Sequence, residues 1–216
     1  VAITNAICYG EPNGTITITA TGGTGDYIYS IYGEVGPYEI PNSFNVTSGF
    51  YDIWVMDDNG CTAEYPGNPV YIDEPSKIIF DYGITNIESC FGANEGSIII
   101  SNVNGGSGNY EFSIMEPPVW QTDPIFDNLP GGLGILYYVR VKDDAGCIVT
   151  GNNGLPVTID EPAEITFSTT PTHVTGCWYN TNGSISITNV IGGTGIKWVS
   201  VDDTGIWQRI SNATTI

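Results

Sequence analysis

Positive charge is almost missing from this chain. Over 216 residues, 5 lysines and arginines stand against 24 aspartates and glutamates, a formal net charge of −19. Residues 1–75 hold ten acids and no base, residues 76–162 eleven acids and three bases, and residues 163–216 three acids and two bases. A surface this negative repels phosphate backbones, which argues against nucleic acid as a partner. It also disfavours anionic membranes, and it can attract metal cations. Long apolar runs are missing too. None approaches the roughly 18 residues that a membrane helix needs, so no membrane insertion is expected. Val1–Asn5 already reads as strand, not as a signal peptide. Histidine occurs once, as His173 in the turn-like Pro171-Thr172-His173. A Ser-His-Asp site could be built only once, and no Gly-x-Ser-x-Gly elbow accompanies it. Carboxylates are plentiful, but they recur at the same places in each repeat, as structural parts do. The chain therefore reads as non-enzymatic.

What is present is a repeat. Tyr51-Asp52-Ile53-Trp54-Val55-Met56-Asp57-Asp58-Asn59-Gly60-Cys61 returns as Tyr137-Tyr138-Val139-Arg140-Val141-Lys142-Asp143-Asp144-Ala145-Gly146-Cys147. Apolar residues at every second position make one face of a strand, and Asp-Asp-x-Gly then turns the chain. Upstream, a cysteine sits six residues before a glycine three times: Cys8 and Gly14, Cys90 and Gly96, Cys177 and Gly183. An alternating strand follows, then a glycine-rich turn: Gly22-Gly23-Thr24-Gly25, Gly105-Gly106-Ser107-Gly108, Gly192-Gly193-Thr194-Gly195. The next strand is Tyr27–Ile31 in the first copy and Tyr110–Ile114 in the second; the third has Lys197-Trp198 there. Two copies close on Ile72-Asp73-Glu74-Pro75 and Ile159-Asp160-Glu161-Pro162. Proline after the acids enforces an extended exit. The modules are residues 1–75, 76–162 and an incomplete 163–216, whose sequence stops before its closing strand. A window from a longer array accounts for that, and completion by another chain's strands is the alternative.

Short strands with turn signals every 8–12 residues predict an all-β fold: tandem immunoglobulin-like antiparallel β-sandwich modules arranged end to end. Tyr27, Tyr29, Tyr51, Tyr110, Phe112 and Tyr137 have the parity to fill the space between sheets. Cys8 and Cys61 bracket the first module, and Cys90 and Cys147 the second. That bracketing predicts intramodule disulfides Cys8–Cys61 and Cys90–Cys147, with Cys177 left over, in an oxidising compartment. Closing the 53-residue loop from Cys8 to Cys61 would stabilise by about 4 kcal/mol in a chain-entropy account. Zinc would want clustered cysteine or histidine ligands, which the spacing does not offer.

Cys8-Tyr9-Gly10, the Gly22–Tyr27 turn, the Tyr51–Cys61 stretch and Ile72–Pro75, with their second copies at Cys90-Phe91-Gly92, Gly105–Tyr110, Tyr137–Cys147 and Ile159–Pro162, resemble the SprB repeat. The resemblance covers nearly all of residues 1–162 and half a repeat beyond. The third copy departs, with Cys177-Trp178-Tyr179 in place of Cys-x-Gly. The resemblance implies a large filamentous surface adhesin of Bacteroidota, exported by the type IX secretion system, with gliding motility as its best-known setting. It also implies that the repeats are spacer.

Asp57, Asp58, Asp73, Glu74, Asp143, Asp144, Asp160 and Glu161 are hard oxygen ligands at turns and module ends, which makes calcium the one cofactor to consider. The competing reading makes them turn acids that accept backbone N–H groups, and both stay open here. Glycosylation sequons occur at Asn13, Asn45, Asn182 and Asn212. The loop tryptophans Trp120 and Trp207 can either contact sugars or cover a core. The reading is a shaft of an extracellular, cell-surface adhesin or filament, with the gliding-motility type as one form of it. Its expected partners are neighbouring repeats of the same chain, surface polysaccharide or other filament subunits. The alternative is a carbohydrate- or protein-binding appendage of a secreted bacterial enzyme.

Overall fold

Alternation of apolar and polar side chains makes half-buried strands, and strands are what the computed structural model contains. It describes residues 1–201, 205–210 and 213–215. Among these, the helical content is one 3-10 turn, Asn152–Gly154. The fold is all-β, built of antiparallel sheets. The chain divides into two compact units, one of residues 1–81, 101–122 and 139–154, the other of residues 82–100, 123–138 and 155–216.

In the first unit, β1 (Ala2–Thr4), β2 (Gly14–Thr17), β3 (Tyr27–Ser30), β4 (Ser43–Val46), β5 (Gly49–Tyr51), β6 (Trp54–Asp57), β7 (Thr62–Glu64) and β8 (Val70–Ile72) form three small sheets, β1-β2-β4, β3-β6-β7 and β5-β8. Between them lies one core: Ile16, Ile18, Tyr29, Ile31, Val46, Ile53, Val70 and Ile72, with Tyr27, Tyr51 and Val55 packed against it. The aromatic positions expected to face inward do so, and the half-buried ones spend their hydroxyls locally. Tyr27 donates to Gly22 O, and Tyr51 to Thr47 O at 2.9 Å.

β9 (Ile79–Thr85), β10 (Gly96–Asn104) and β12 (Ile125–Leu129) form a sheet with β10 central. β11 (Glu111–Ser113), β13 (Arg140–Lys142) and β14 (Ile148–Thr150) form another. This second sheet belongs to the first unit. It buries Phe112, Val139 and Val141, and registers Phe112 opposite Val141. In the second unit Ile87, Ile98, Ile100, Tyr137 and Ile159 are buried, and the Tyr137 hydroxyl donates to Pro130 O at 2.7 Å. β15 (Thr166–Thr172), β16 (Ser184–Ile191) and β19 (Ala213–Thr215) make a sheet, and β17 (Trp198–Val199) pairs with β18 (Gln208–Arg209).

One glycine of the repeat is fixed by packing. A methyl at Gly14 would sit 2.8 Å from Ile72 Cγ2, and a methyl at Gly96 2.8 Å from Ile159 Cγ2. The glycine that opens each alternating strand and the isoleucine of Ile-Asp-Glu-Pro are thus one contact, though some 60 residues separate them in sequence.

Candidate functional site

The closing turn is a carboxylate staple. Asp57 N donates to Cys61 O at 3.1 Å and Gly60 N to Asp57 O at 2.9 Å, which closes the turn. Asp57 Oδ1 accepts from Asn59 N (3.0 Å) and Cys61 N (2.9 Å), while Oδ2 reaches across to accept from Thr24 N at 3.0 Å. The second copy repeats this. Asp143 Oδ1 accepts from Cys147 N and Oδ2 from Ser107 N, both at 2.9 Å. The turn that begins Gly105-Gly106 is closed by its own tyrosine, since the Tyr110 hydroxyl donates to Gly105 O at 2.6 Å. Hydrogen bonds hold the Asp57 carboxyl below its ordinary value, that from Cys61 N first, then those from Thr24 N and Asn59 N. At Asp143, only 3 % exposed, burial pushes the carboxyl up, but donors from Ser107, Cys147 and Ala145 outweigh it and the net shift is down.

The opening loop is tied to the exit. Gly10 N donates to Glu74 Oε2 at 2.6 Å, and Gly92 N to Glu161 Oε2 at 2.8 Å. Beside these, Ala6 N donates to Asp73 O (2.8 Å) and Ile87 N to Asp160 O (2.9 Å). The Cys-x-Gly and Asp-Glu-Pro motifs are therefore two halves of one structure.

Past Pro75 the chain runs straight onto the next glycine-rich turn. Gly106 N donates to Ser76 O at 2.8 Å, and a methyl at Gly105 would overlap the carbonyl oxygen of Lys77. At the second exit Gly193 N donates to Ala163 O at 2.7 Å, and a methyl at Gly192 would overlap Glu164 O. At the first of these junctions a disulfide joins Cys8 to Cys147, with Cα atoms 5.5 Å apart. Cys61, Cys90 and Cys177 are free and exposed.

This corrects the pairing expected from the sequence: neither Cys8–Cys61 nor Cys90–Cys147 forms. The reason is direction. Cys8 lies before β2, in the loop held by Glu74 at the exit. Cys61 lies in the turn held by Asp57 against Thr24, past the other end of β2. Two cysteines at opposite ends of a strand cannot meet the geometry of a disulfide, which needs Cα atoms within about 7 Å. The closing turn of the following repeat, by contrast, arrives at the exit where Cys8 lies. The glycine pair alone carries no signal for that pairing, since Gly22 has the same sequence context as Gly105 and no segment lies on it.

The remaining acids are placed as follows. Asp73 Oδ1 accepts from Glu74 N at 2.9 Å, and Asp144 Oδ2 from Asn109 Nδ2 at 2.6 Å. Asp58 N donates to Thr24 O at 3.1 Å, and Asp160 N to Asn86 Oδ1 at 3.0 Å. Among the described residues, no group of three acidic, histidine or cysteine side chains is brought together in a way that would hold a metal ion. His173 is exposed just past β15. Trp120 lies under the Lys142 ammonium, 4.7 Å from the ring centroid, and Lys142 also pairs with Glu111. Trp207 is 62 % exposed. The Asn212 sequon lies outside the described residues.

With this geometry in place, comparison with known proteins adds one finding. Residues 1–36 and 84–116 match the SprB repeat. Both SprB-like segments begin ahead of an opening cysteine and run through the glycine-rich turn into β3 or β11. They thus cover the parts that build the opening loop and the junction turn. Among curated proteins and among solved structures, none matches the chain.

Proposed function

We propose that the chain is a non-enzymatic shaft segment of a large extracellular adhesin or filament carried on the cell surface, with repeats at 1–75, 76–162 and 163–216. The observation that carries this reading is the first junction. There the exit of one repeat is fixed to the next by a backbone hydrogen bond and by the Cys8–Cys147 bond. A shaft must pass load from repeat to repeat, and a covalent bridge across the joint does so. A catalytic site instead needs titratable groups free to act on a substrate in a cleft. Here the carboxylates that recur, Asp57 and Asp143, spend both oxygens on backbone donors.

The SprB match supports a surface adhesin; export by type IX secretion, with the gliding-motility type as one form, is part of the proposal. Neighbouring repeats of the same chain are the first partners. Antibodies raised against residues 1–162, applied to intact source cells, test the reading. Surface label that disappears when type IX secretion is disrupted is the expected result. Label that appears only after permeabilisation overturns it.

A further inference from the structure

The Cys8–Cys147 bond joins the opening loop of one repeat to the closing turn of the next, and both halves of that arrangement occur once more in the chain. Cys90 is held as Cys8 is. Gly92 N donates to Glu161 as Gly10 N does to Glu74, and Ile87 N donates to Asp160 O as Ala6 N does to Asp73 O. Cys61 is held as Cys147 is, its N–H 2.9 Å from the carboxylate of its turn in both copies. The joints also match. Ala163 O accepts from Gly193 N at 2.7 Å, as Ser76 O accepts from Gly106 N at 2.8 Å. The second exit is therefore seated on a glycine-rich turn in the same register as the first. In the first joint that register brings Cys147 to Cys8. Cys61 and Cys90 themselves are exposed thiols.

We propose that Cys61 and Cys90 are half-sites of two further inter-repeat disulfides. Cys90 bonds the closing cysteine of the repeat that residues 163–216 open, and Cys61 bonds the opening cysteine of a repeat ahead of residue 1. The proposal rests on the shaft reading, because it needs neighbouring repeats. Each bond forms as two thiols give up two protons and two electrons. The acceptor is a disulfide of the thiol–disulfide exchange class, which becomes a dithiol. The outcome is a ladder of overlapping loops. Each closes about as many residues as the 139 between Cys8 and Cys147, and each begins before the previous one ends.

The test uses the full-length protein from its source cells, with free thiols alkylated at lysis and the digest mapped without reduction. The expected result is a Cys90 peptide linked to an Asp-Asp-x-Gly-Cys-type peptide from beyond residue 216, and a Cys61 peptide linked to a Cys-x-Gly-type peptide from ahead of residue 1. Alkylated Cys61 and Cys90, a Cys61–Cys90 bond, or bonds within one repeat overturn the ladder. Surface labelling reads the shaft separately. Labelled cells with alkylated Cys61 and Cys90 leave the shaft standing and remove the ladder.

Discussion

Pulling the chain from its two ends separates the observed disulfide from the one its spacing suggests. The Cys8–Cys147 bond spans 139 residues. At about 3.4 Å per extended residue it removes roughly 470 Å from the length the chain can reach. Everything from Tyr9 to Gly146 then lies inside a closed loop and carries no load. Under oxidising conditions, force spectroscopy on residues 1–216 should extend only the segment beyond Cys147 and the few residues before Cys8, about 260 Å in all. Reduction should release the missing length. The alternative pairs, Cys8–Cys61 and Cys90–Cys147, would withhold about 180 and 190 Å in two separate pieces. A loss near 370 Å, or no dependence on reductant, would refute the structure's pairing. The same bond has a thermal signature. Chain entropy for a loop of this size gives about 5 kcal/mol at 25 °C. At about 2–4 °C per kcal/mol for a chain of this length, Cys147→Ser should lower the Tm by about 10–20 °C. A drop under ~3 °C would mean that the loop is not closed in the folded protein.

Four further outcomes are expected. Gly22 and Gly105 occupy the same turn position at φ +92° and +90°, but only Gly105 has backbone above it. Gly22→Ala should therefore cost about 1 kcal/mol of conformational strain, and Gly105→Ala about 1–3 kcal/mol more from overlap with Lys77 O, read as Tm; equal losses would sink the junction argument. Asp143→Ala leaves Ser107 N and Cys147 N without their acceptor, at about 1–3 kcal/mol each, measured by urea unfolding. Asp57 and Asp143 are depressed in the folded state, so the unfolded chain binds more protons in acid. Stability from them is complete above the unfolded value of about 4 and is lost as pH falls through the folded values, a slope that Asp143→Asn should flatten. If these acids serve as turn acids, saturating chelator should leave the Tm unchanged, whereas a fall of several degrees would favour the calcium reading.

The local parts of this fold were legible because each is written within ten residues or so. Alternation at Tyr51–Val55 announces a strand, and Asp-Asp-x-Gly announces the turn that Asp57 staples. The aromatic positions Tyr29, Phe112 and Tyr137 came out buried because strand parity alone decides which face they take. The turn-acid reading also had its physical cause in view, since an aspartate at the parity of Val55 and Val141 points back at the turn it closes. Pairings across roughly sixty residues or more were not legible. Nothing in the spacing of Gly14 and Ile72 says that a methyl on the first would strike the second. Nothing in Gly10 and Glu74 says that an N–H and a carboxylate meet. The cysteines failed for the same reason. Bracketing is a statement about order along the chain, whereas a disulfide answers to position at the ends of strands.

On the shaft reading, that failure identifies the mechanical unit. Read along the sequence, a repeat runs from its opening cysteine to Asp-Glu-Pro, and its two cysteines look like partners. Read by contact, the opening loop, the Asp-Glu-Pro exit, the following glycine-rich turn and the following Asp-Asp-x-Gly-Cys turn form one body. Glu74, Ser76, Gly106 and Asp143 hold it by hydrogen bonds, and Cys8–Cys147 locks it. Four of the motifs that define the repeat are therefore parts of the joint. A chain under selection for load transfer would keep the joint residues and let the spans vary. The closing motif Asp-Asp-x-Gly-Cys stands unchanged in both complete copies, while the loop between β3 and β4 in the first differs freely from the one around Val119-Trp120-Gln121, between β11 and β12, in the second.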